Sequence, residues 1–469
     1  MPTVEKERIL KLVQNDHQKY LEITNFFLDF SIPKSVKELK SFHFLENELS
    51  NMSEKDCEFP NHIDQLEQWV TKQNKAQCIF YGEYIGRRSK GGKREYFSTT
   101  SNAYEFLYKI APTKRVDGAW LYSFIQYWDD PAFRDFIQIY LEELGLGNEE
   151  NNHVKLYDNL LFSLGLHQFS MNLSDEYYHQ SAIQLALAYA SSDFIPEIAG
   201  FNLGYEQLPL HLLITNYELK ELGIDSNYFN QHITIDNFEN GHAHLSINAV
   251  KKIAKNYKDQ AEFMSKLKIG FLLNNSGVSS VQIIKSLNTK QTVIDIFKKK
   301  AVVGKNMHSN KCMFKNKATN EWLSDEDQIE DFICELINIG WIKLNQDPEH
   351  SRFWKIINDD NGKMFGVFSV VEKAFIYDWI AGSEAMHHNK SVDAELISNF
   401  LKLKTFSYSV NNELQDLQKQ VNTSVNTAHK VSNLMQYLAP HMHHQEIGLW
   451  STQRFVEFLF PFLSNRRIN

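Results

Sequence analysis

Apolar residues in this chain recur at spacings of three and four, the period of helices that bury one face. Polar joints separate two such stretches near the start, VEKERILKLVQNDHQKYLEITNFFLDF and VKELKSFHFLENEL. A hinge at CEFPNH leads into a third, IDQLEQWVTKQNKAQCIFYGEYI. From Ser101 the period strengthens, and NAYEFLYKIAPTKRVDGAWLYSFIQYWDDPAFRDFIQIYLEELGLG carries it in each half. Helices are predicted over 154–166, 176–189, 194–222 and 226–256, with the short connections that bundles prefer. Beyond residue 265 the helical pattern continues through VIDIFKKKAVV and DQIEDFICELINIGWI, with a Gly/Asp-rich turn at INDDNGKMFGVF. The tail NNELQDLQKQVNTSVNTAHKVSNLMQYL reads as a polar amphipathic helix packed on the body or on a partner. There is no internal repeat and no low-complexity tract.

Composition agrees with this picture and narrows it. At 469 residues the chain is too long for one ordinary core, so two or three domains are expected. The 33 Phe and 20 Tyr against only 10 Pro favour long helices with few breaks. A net charge of −9 argues against a nucleic-acid surface. The start lacks the basic end and apolar run of a signal peptide, and no stretch approaches ~20 apolar residues, so no membrane association is expected. Cys57, Cys78, Cys312 and Cys334 are scattered without a CxxC pair, as reduced thiols of a cytoplasmic protein would be. The run GRRSKGGKR (86–94) lacks the Gly-Lys-Ser/Thr of a phosphate loop, because Lys93 is followed by Arg94, and reads as a solvated basic loop.

Candidate chemistry concentrates in YFNQHITIDNFENGHAHLSINA (228–249), which holds His232, Asp236, Glu239, His242 and His244. His232 and Asp236 are four apart and share a helix face. One imidazole with one carboxylate suits iron or manganese better than structural zinc, which favours cysteine. Upstream, Glu143 precedes His153, and Glu197 and Glu206 sit in an otherwise apolar helix where an unpaired carboxylate is costly. One residue from each place gives Glu143, His153, Glu206, His232, Asp236 and His242. Three imidazoles and three carboxylates suit two irons in a helical bundle.

That order resembles the haem-oxygenase-like diiron oxidases, and more narrowly the iron-containing redox enzyme family. PTKRVDGAWLY (112–122), EELGLGNEENNH (142–153), IPEIAGFNLGYE (195–206) and HITIDNFENGHA (232–243) look like that family's helices. KAVVGKNMHSNK (300–311), SRFWKI (351–356) and GKMFGVFSVVEKAFIYDWI (362–380) look like its C-terminal extension. The resemblance implies metal ligands at Glu143, His153, Glu206, His232, Asp236 and His242. It also implies two non-haem Fe2+ ions with O2 as co-substrate, and no haem.

Both ligand spacings are three residues longer than the family's short pattern of Glu-x6-His and His-x3-Asp-x2-His. On a straight helix His242 would lie about 120° from Asp236, whereas Glu239 would stay on the face of His232. Either the helix breaks near Asn240-Gly241 and restores His242, or Glu239 is the ligand. Glycine permits such breaks, and Gly145 and Gly147 sit in the other long gap. His242 is preferred on that ground.

The remaining candidates have ordinary explanations. Glu142 is expected to face solvent or cap its helix. Glu197 follows Pro196 at a helix start, where a carboxylate complements the dipole. Asp117 with Gly118 reads as a turn or N-cap device, with a role in shaping the pocket as the alternative. His441, His443 and His444 are expected to form a solvated or helix-terminal cluster, as are His387 and His388, and His244 a surface or outer-sphere residue.

The expected fold is all-α: a haem-oxygenase-like bundle over 96–265, an N-terminal helical extension over 1–95, a family-like C-terminal extension over 266–382 and a helical tail over 383–469. The expected function is a non-haem diiron oxidase or oxygenase activating O2 to hydroxylate, N-oxygenate, desaturate or cleave a small organic substrate. An external electron donor would serve it, and a homodimer is compatible with the chain. The alternatives are a non-catalytic helical interaction protein with a structural metal site, and a mononuclear or zinc hydrolase. The last is weakened by six candidate ligands and by the lack of HExxH.

Overall fold

The computed structural model describes residues 19–52, 57–235, 241–308, 312–382 and 412–464. The chain is all-α, as the periodicity predicts. It opens with α1 (Tyr20–Leu28), α2 (Lys34–Ser50) and α3 (Leu66–Ser89). Then come α4 (Thr100–Lys114), a run of 3-10 turns (Ala119–Tyr127), α5 (Arg134–Glu143), α6 (His153–Ser163), α7 (His179–Ala188) and α8 (Ile195–Tyr205). Next are α9 (Leu210–Glu221), α10 (Asn227–Ile235), α11 (His242–Ala254) and α12 (Gln260–Leu273). The following region holds α13 (Ser280–Lys285), α14 (Thr289–Gly304), α15 (Thr319–Leu323), α16 (Ile329–Asn338), α17 (Arg352–Asn358) and α18 (Val370–Ala381). Among the described residues the strands are a two-residue hairpin, β1 (Met313–Phe314) and β2 (Lys317–Ala318), antiparallel with Met313 opposite Ala318. The chain closes with α19 (Asn412–Thr423), α20 (Thr427–Met435), α21 (Glu446–Leu459) and α22 (Pro461–Ser464).

Local chemistry sets the boundaries. Thr99 caps α4 by accepting from Asn102 N, and Ser369 and Glu372 form a capping box on α18. The helix predicted over 194–222 is two helices, because Pro209 stands between α8 and α9 and cannot continue the first. Glu206 is therefore the C-cap of α8 and not an interior residue. The basic run at 86–94 is also only partly loop: its first four residues finish α3, and Arg88 pairs with Glu221 of α9.

Burial divides the apolar residues into two cores. One gathers Phe27, Trp120, Phe136, Ile198, Phe201 and Leu267, and Val431 and Phe455 of the final helices join it. The other gathers Phe106, Tyr157, Leu219 and Phe229 with Ile294, Phe353 and Phe375. Helices α5, α8 and α11 belong to the first core, and α6 and α10 to the second. The tail thus packs on the body, and Tyr140 of α5 donates to the Leu438 carbonyl.

Helices α8 and α12 cross in backbone contact. A Cβ on Gly200 would lie 1.9 Å from Leu267 O, and one on Gly270 would lie 1.9 Å from Glu197 O. This crossing seats α8, whose C-cap is Glu206, against α12. All four cysteines are free. Among the described residues no helix is long and apolar enough to cross a membrane.

Candidate metal centre

The two long spacings are resolved by breaks. Helix α5 ends at Glu143, and the chain turns through Gly145, Leu146 and Gly147 with φ of 63°, 53° and 80°. A Cβ on Gly145 would sit 2.4 Å from Asn152 N, so the turn is tight enough to require glycine. Asn152 then caps α6 by accepting from Lys155 N, and His153 becomes its first residue. In the second spacing, α11 begins at His242, and Gly241 before it is extended at φ −95°, ψ −163°. The interruption expected near Asn240-Gly241 is present at Gly241.

These breaks bring ligand-type side chains together where the two cores meet. Asp117, Glu143, His153 and His232 form one buried group, and Glu143, Glu206 and His242 form a second. Within each group the candidate ligand atoms lie within 4.8 Å of one another. Glu143 belongs to both. The first-core helices supply Glu143, Glu206 and His242, and the second-core helices supply His153 and His232.

The histidines are oriented by groups on their outer sides. His232 Nδ1 lies 2.8 Å from the Tyr228 carbonyl one turn earlier, which accepts and so fixes the proton on Nδ1. Its Nε2 faces inward, 3.1 Å from Asp117 Oδ2. His242 Nε2 lies 2.9 Å from Glu142 Oε2, while its Nδ1 lies 3.1 Å from Glu206 Oε2 and 3.4 Å from Glu143 Oε1. A carboxylate behind an imidazole is the common outer-sphere device of metal-binding histidines. Glu142 therefore serves His242 and does not point to solvent or cap its helix.

His153 Nδ1 and Glu143 Oε2 approach to 2.5 Å, yet the contact lacks hydrogen-bond alignment and neither atom has another hydrogen-bond partner. Two buried ligand-type atoms aimed at one place are what a shared cation would satisfy. The donor set is oxygen and imidazole nitrogen without thiolate, which fits iron.

Asp117 is the participant that sequence reasoning took for a turn residue. The cap position of the turns that follow is held by Gly118, not by Asp117. Its carboxylate is buried and accepts from the Tyr205 hydroxyl at 3.1 Å and from the Tyr228 hydroxyl. Gly118, at φ 77°, lets this turn lie on Glu143, since a Cβ there would be 2.7 Å from Glu143 Cβ. The available signal was an aspartate inside the apolar run RVDGAWLY, but an Asp-Gly turn explains that locally.

Electrostatics keep the carboxylates ionised. Burial raises the pKa of Asp117, but Lys114 and then His232 outweigh it and leave it at about 2. Burial likewise opposes ionisation of Glu143, and His153 and His242 hold it well below the usual carboxylate range. Burial, reinforced by the Asp117 charge, raises Tyr205 and Tyr228 well above the ordinary tyrosine value, so both stay protonated donors. Buried anions cost several kcal/mol each unless a cation or hydrogen bonds compensate them. That imbalance makes the site attractive to divalent cations.

The structure brings Glu143, His153, Glu206, His232 and His242 together. Asp236 and Glu239 lie outside the described residues, as do His387 and His388. Glu197 is elsewhere, near α12 at the start of α8, and burial pushes it up to about 7. Of the expected solvated or helix-terminal 441–444 cluster, the residues do lead into α21, but His443 is not solvated: it is 2% exposed and bonded to Asn152. Spacing could not reveal this, because the contact depends on the tail folding back over the turn after Glu143.

Residues 104–273 match the sequence model of a family described as iron-containing redox enzyme. The resemblance read from the residues holds over that stretch, which contains Asp117 and all five described candidates. No curated protein and no solved structure matches the chain.

Proposed function

We propose that this chain, whose residues 104–273 match a family of iron-containing redox enzymes, is a non-haem diiron oxidase or oxygenase acting on a small organic substrate. The observation that carries this reading is the sharing of Glu143 between two buried His/carboxylate groups. A carboxylate held in common is the natural bridge between two cations. Two ferrous ions there would supply the open positions and electrons that dioxygen activation requires.

The chain's own residues divide the work. Glu143 would be held in common, with Asp117, His153 and His232 for one ion and Glu206 and His242 for the other; Asp236, which lies outside the described residues, would join them as the family resemblance implies. Tyr228 through its carbonyl and Glu142 through its carboxylate keep His232 and His242 in metal-ready tautomers. Trp120, Tyr157 and Phe201 keep bulk water away, which strengthens each electrostatic contact inside. Haem is no part of this reading, since every described imidazole in the centre faces a carboxylate rather than an apolar slot. An external donor would return the metals to the ferrous state.

The test is anaerobic titration with ferrous iron followed by exposure to oxygen. About two irons per chain and oxygen uptake are expected. Iron retained with no oxygen uptake would indicate a structural metal site, and one iron per chain would overturn the dinuclear reading.

A further inference from the structure

A cavity of 470 Å³ lies beside the Glu206–His242 side of the centre. Its inner wall includes Gly204 and Gln207, which flank Glu206, and Ala243, which follows His242. Its outer wall is the N-terminal helix α3, through Trp69, Val70, Gln73 and Gln77. That helix lies outside the family match, which begins at residue 104. The volume is in the range that holds a small organic ligand.

The wall chemistry restricts what can enter. Glu58 is its charged member, and Lys72 pairs with it at 2.9 Å on the exposed rim. The rest is apolar surface and side-chain amides. The Glu58 carboxylate is exposed and already paired with Lys72, so an ion entering the cavity would lose hydration without a free countercharge to receive it. An uncharged ligand with a carbonyl-type acceptor meets no such penalty. Trp69 Nε1 adds a specific feature, because it is a buried donor with no hydrogen-bond partner among the described residues. Buried donors are normally satisfied, so this one awaits an acceptor. Phe271 stacks edge-on to the Trp69 indole at 5.2 Å and offers an apolar platform beside it.

We infer that this cavity is the substrate pocket of the proposed oxidase, that it takes an uncharged molecule carrying an apolar or aromatic part and a carbonyl-type acceptor, and that α3 is the element selecting it. The inference rests on the metal reading above.

Acetanilide, phenylacetate and benzylamine probe it as neutral, anionic and cationic ligands of similar size. Binding is read by saturation-transfer NMR, and coupling to the centre by the visible spectrum of the cobalt(II)-loaded protein. Acetanilide should bind roughly tenfold or more tightly than either ion and shift the cobalt band. Gln73→Trp, which fills the cavity from α3, should abolish both effects while cobalt stoichiometry stays at the wild-type value. Equal binding of the ions, undiminished acetanilide binding in Gln73→Trp, or binding without a cobalt shift would overturn the inference. Failure of the metal reading is separate, since it is read without any ligand, from the metal stoichiometry of the wild-type protein and the oxygen uptake of its iron-loaded form.

Discussion

Asn152 Nδ2 donates to His443 Nδ1 at 3.1 Å, across 291 residues of chain. The same amide nitrogen reaches the Leu144 carbonyl at 3.3 Å, so His443 helps hold closed the turn between Glu143 and His153. Burial, with His444 and His441 nearby, keeps the His443 pKa well below its ordinary value, and the neutral ring is the acceptor. The tail also covers the turn directly, for a Cβ on Gly147 would lie 2.5 Å from Leu449 O.

His443→Ala should therefore weaken cobalt(II) or iron(II) binding by roughly 10–100-fold, the usual scale for losing an outer-sphere support. His443→Gln, which keeps an acceptor, should recover most of it. Calorimetric titration of both variants, with the melting temperature of each metal-free protein, separates loss of positioning from loss of folding. Wild-type affinity in His443→Ala would show that the contact does nothing for the centre.

Glu142 should matter through His242 alone. Glu142→Leu removes the acceptor behind Nε2 and should cost about tenfold in metal affinity, whereas Glu142→Gln retains an oxygen there and should cost less. His242→Ala should cost more than either. An unchanged binding isotherm for Glu142→Leu would mean the ring is held by other contacts.

Gly118 combines φ 77° with close contact to Glu143. Gly118→Ala should destabilise the fold by about 2–4 kcal/mol and lower metal affinity as Glu143 is displaced. Gly223 has a similar φ of 71° with open space around its Cβ position, so Gly223→Ala should cost only the backbone strain, about 1 kcal/mol. Urea denaturation of the metal-free variants reads the difference. Equal losses at the two positions would remove the steric argument.

Glu197 is 5% exposed and its pKa stands at about 7 because burial disfavours the charge. A carboxyl whose folded pKa exceeds its unfolded value contributes fully below the unfolded pKa and loses that contribution as pH rises through the folded one. Relative to Glu197→Gln, the wild type should thus lose stability between about pH 4.5 and pH 7, on the order of 3 kcal/mol in all. Urea midpoints of the two metal-free proteins from pH 4 to pH 8 test this. A gap that does not change with pH would place the cause outside ionisation.

Much of the fold was legible in the chain because helices declare themselves locally. The three-and-four spacing marks α4, α5 and α16, and Pro209 explains, once noticed, why the stretch over 194–222 is two helices. The candidates Glu143, His153, Glu206, His232 and His242 were legible for a related reason: ligand-type residues are rare in apolar helices, since burial penalises them unless something compensates. The irregular spacings even announced their own breaks, through Gly145, Gly147 and Gly241.

Tertiary structure alone decided the rest. Asp117 enters the first group because Gly118 lets its turn lie on Glu143, and no spacing rule links a loop to a helix end 26 residues away. Glu142 turns to His242 rather than to water because α11 is carried against α5. His443 is buried because the tail folds over a turn some 290 residues before it. Each of these depends on long-range packing, where the free energy comes from surfaces meeting and not from neighbours along the chain. A sequence displays the second directly and the first only after it has folded.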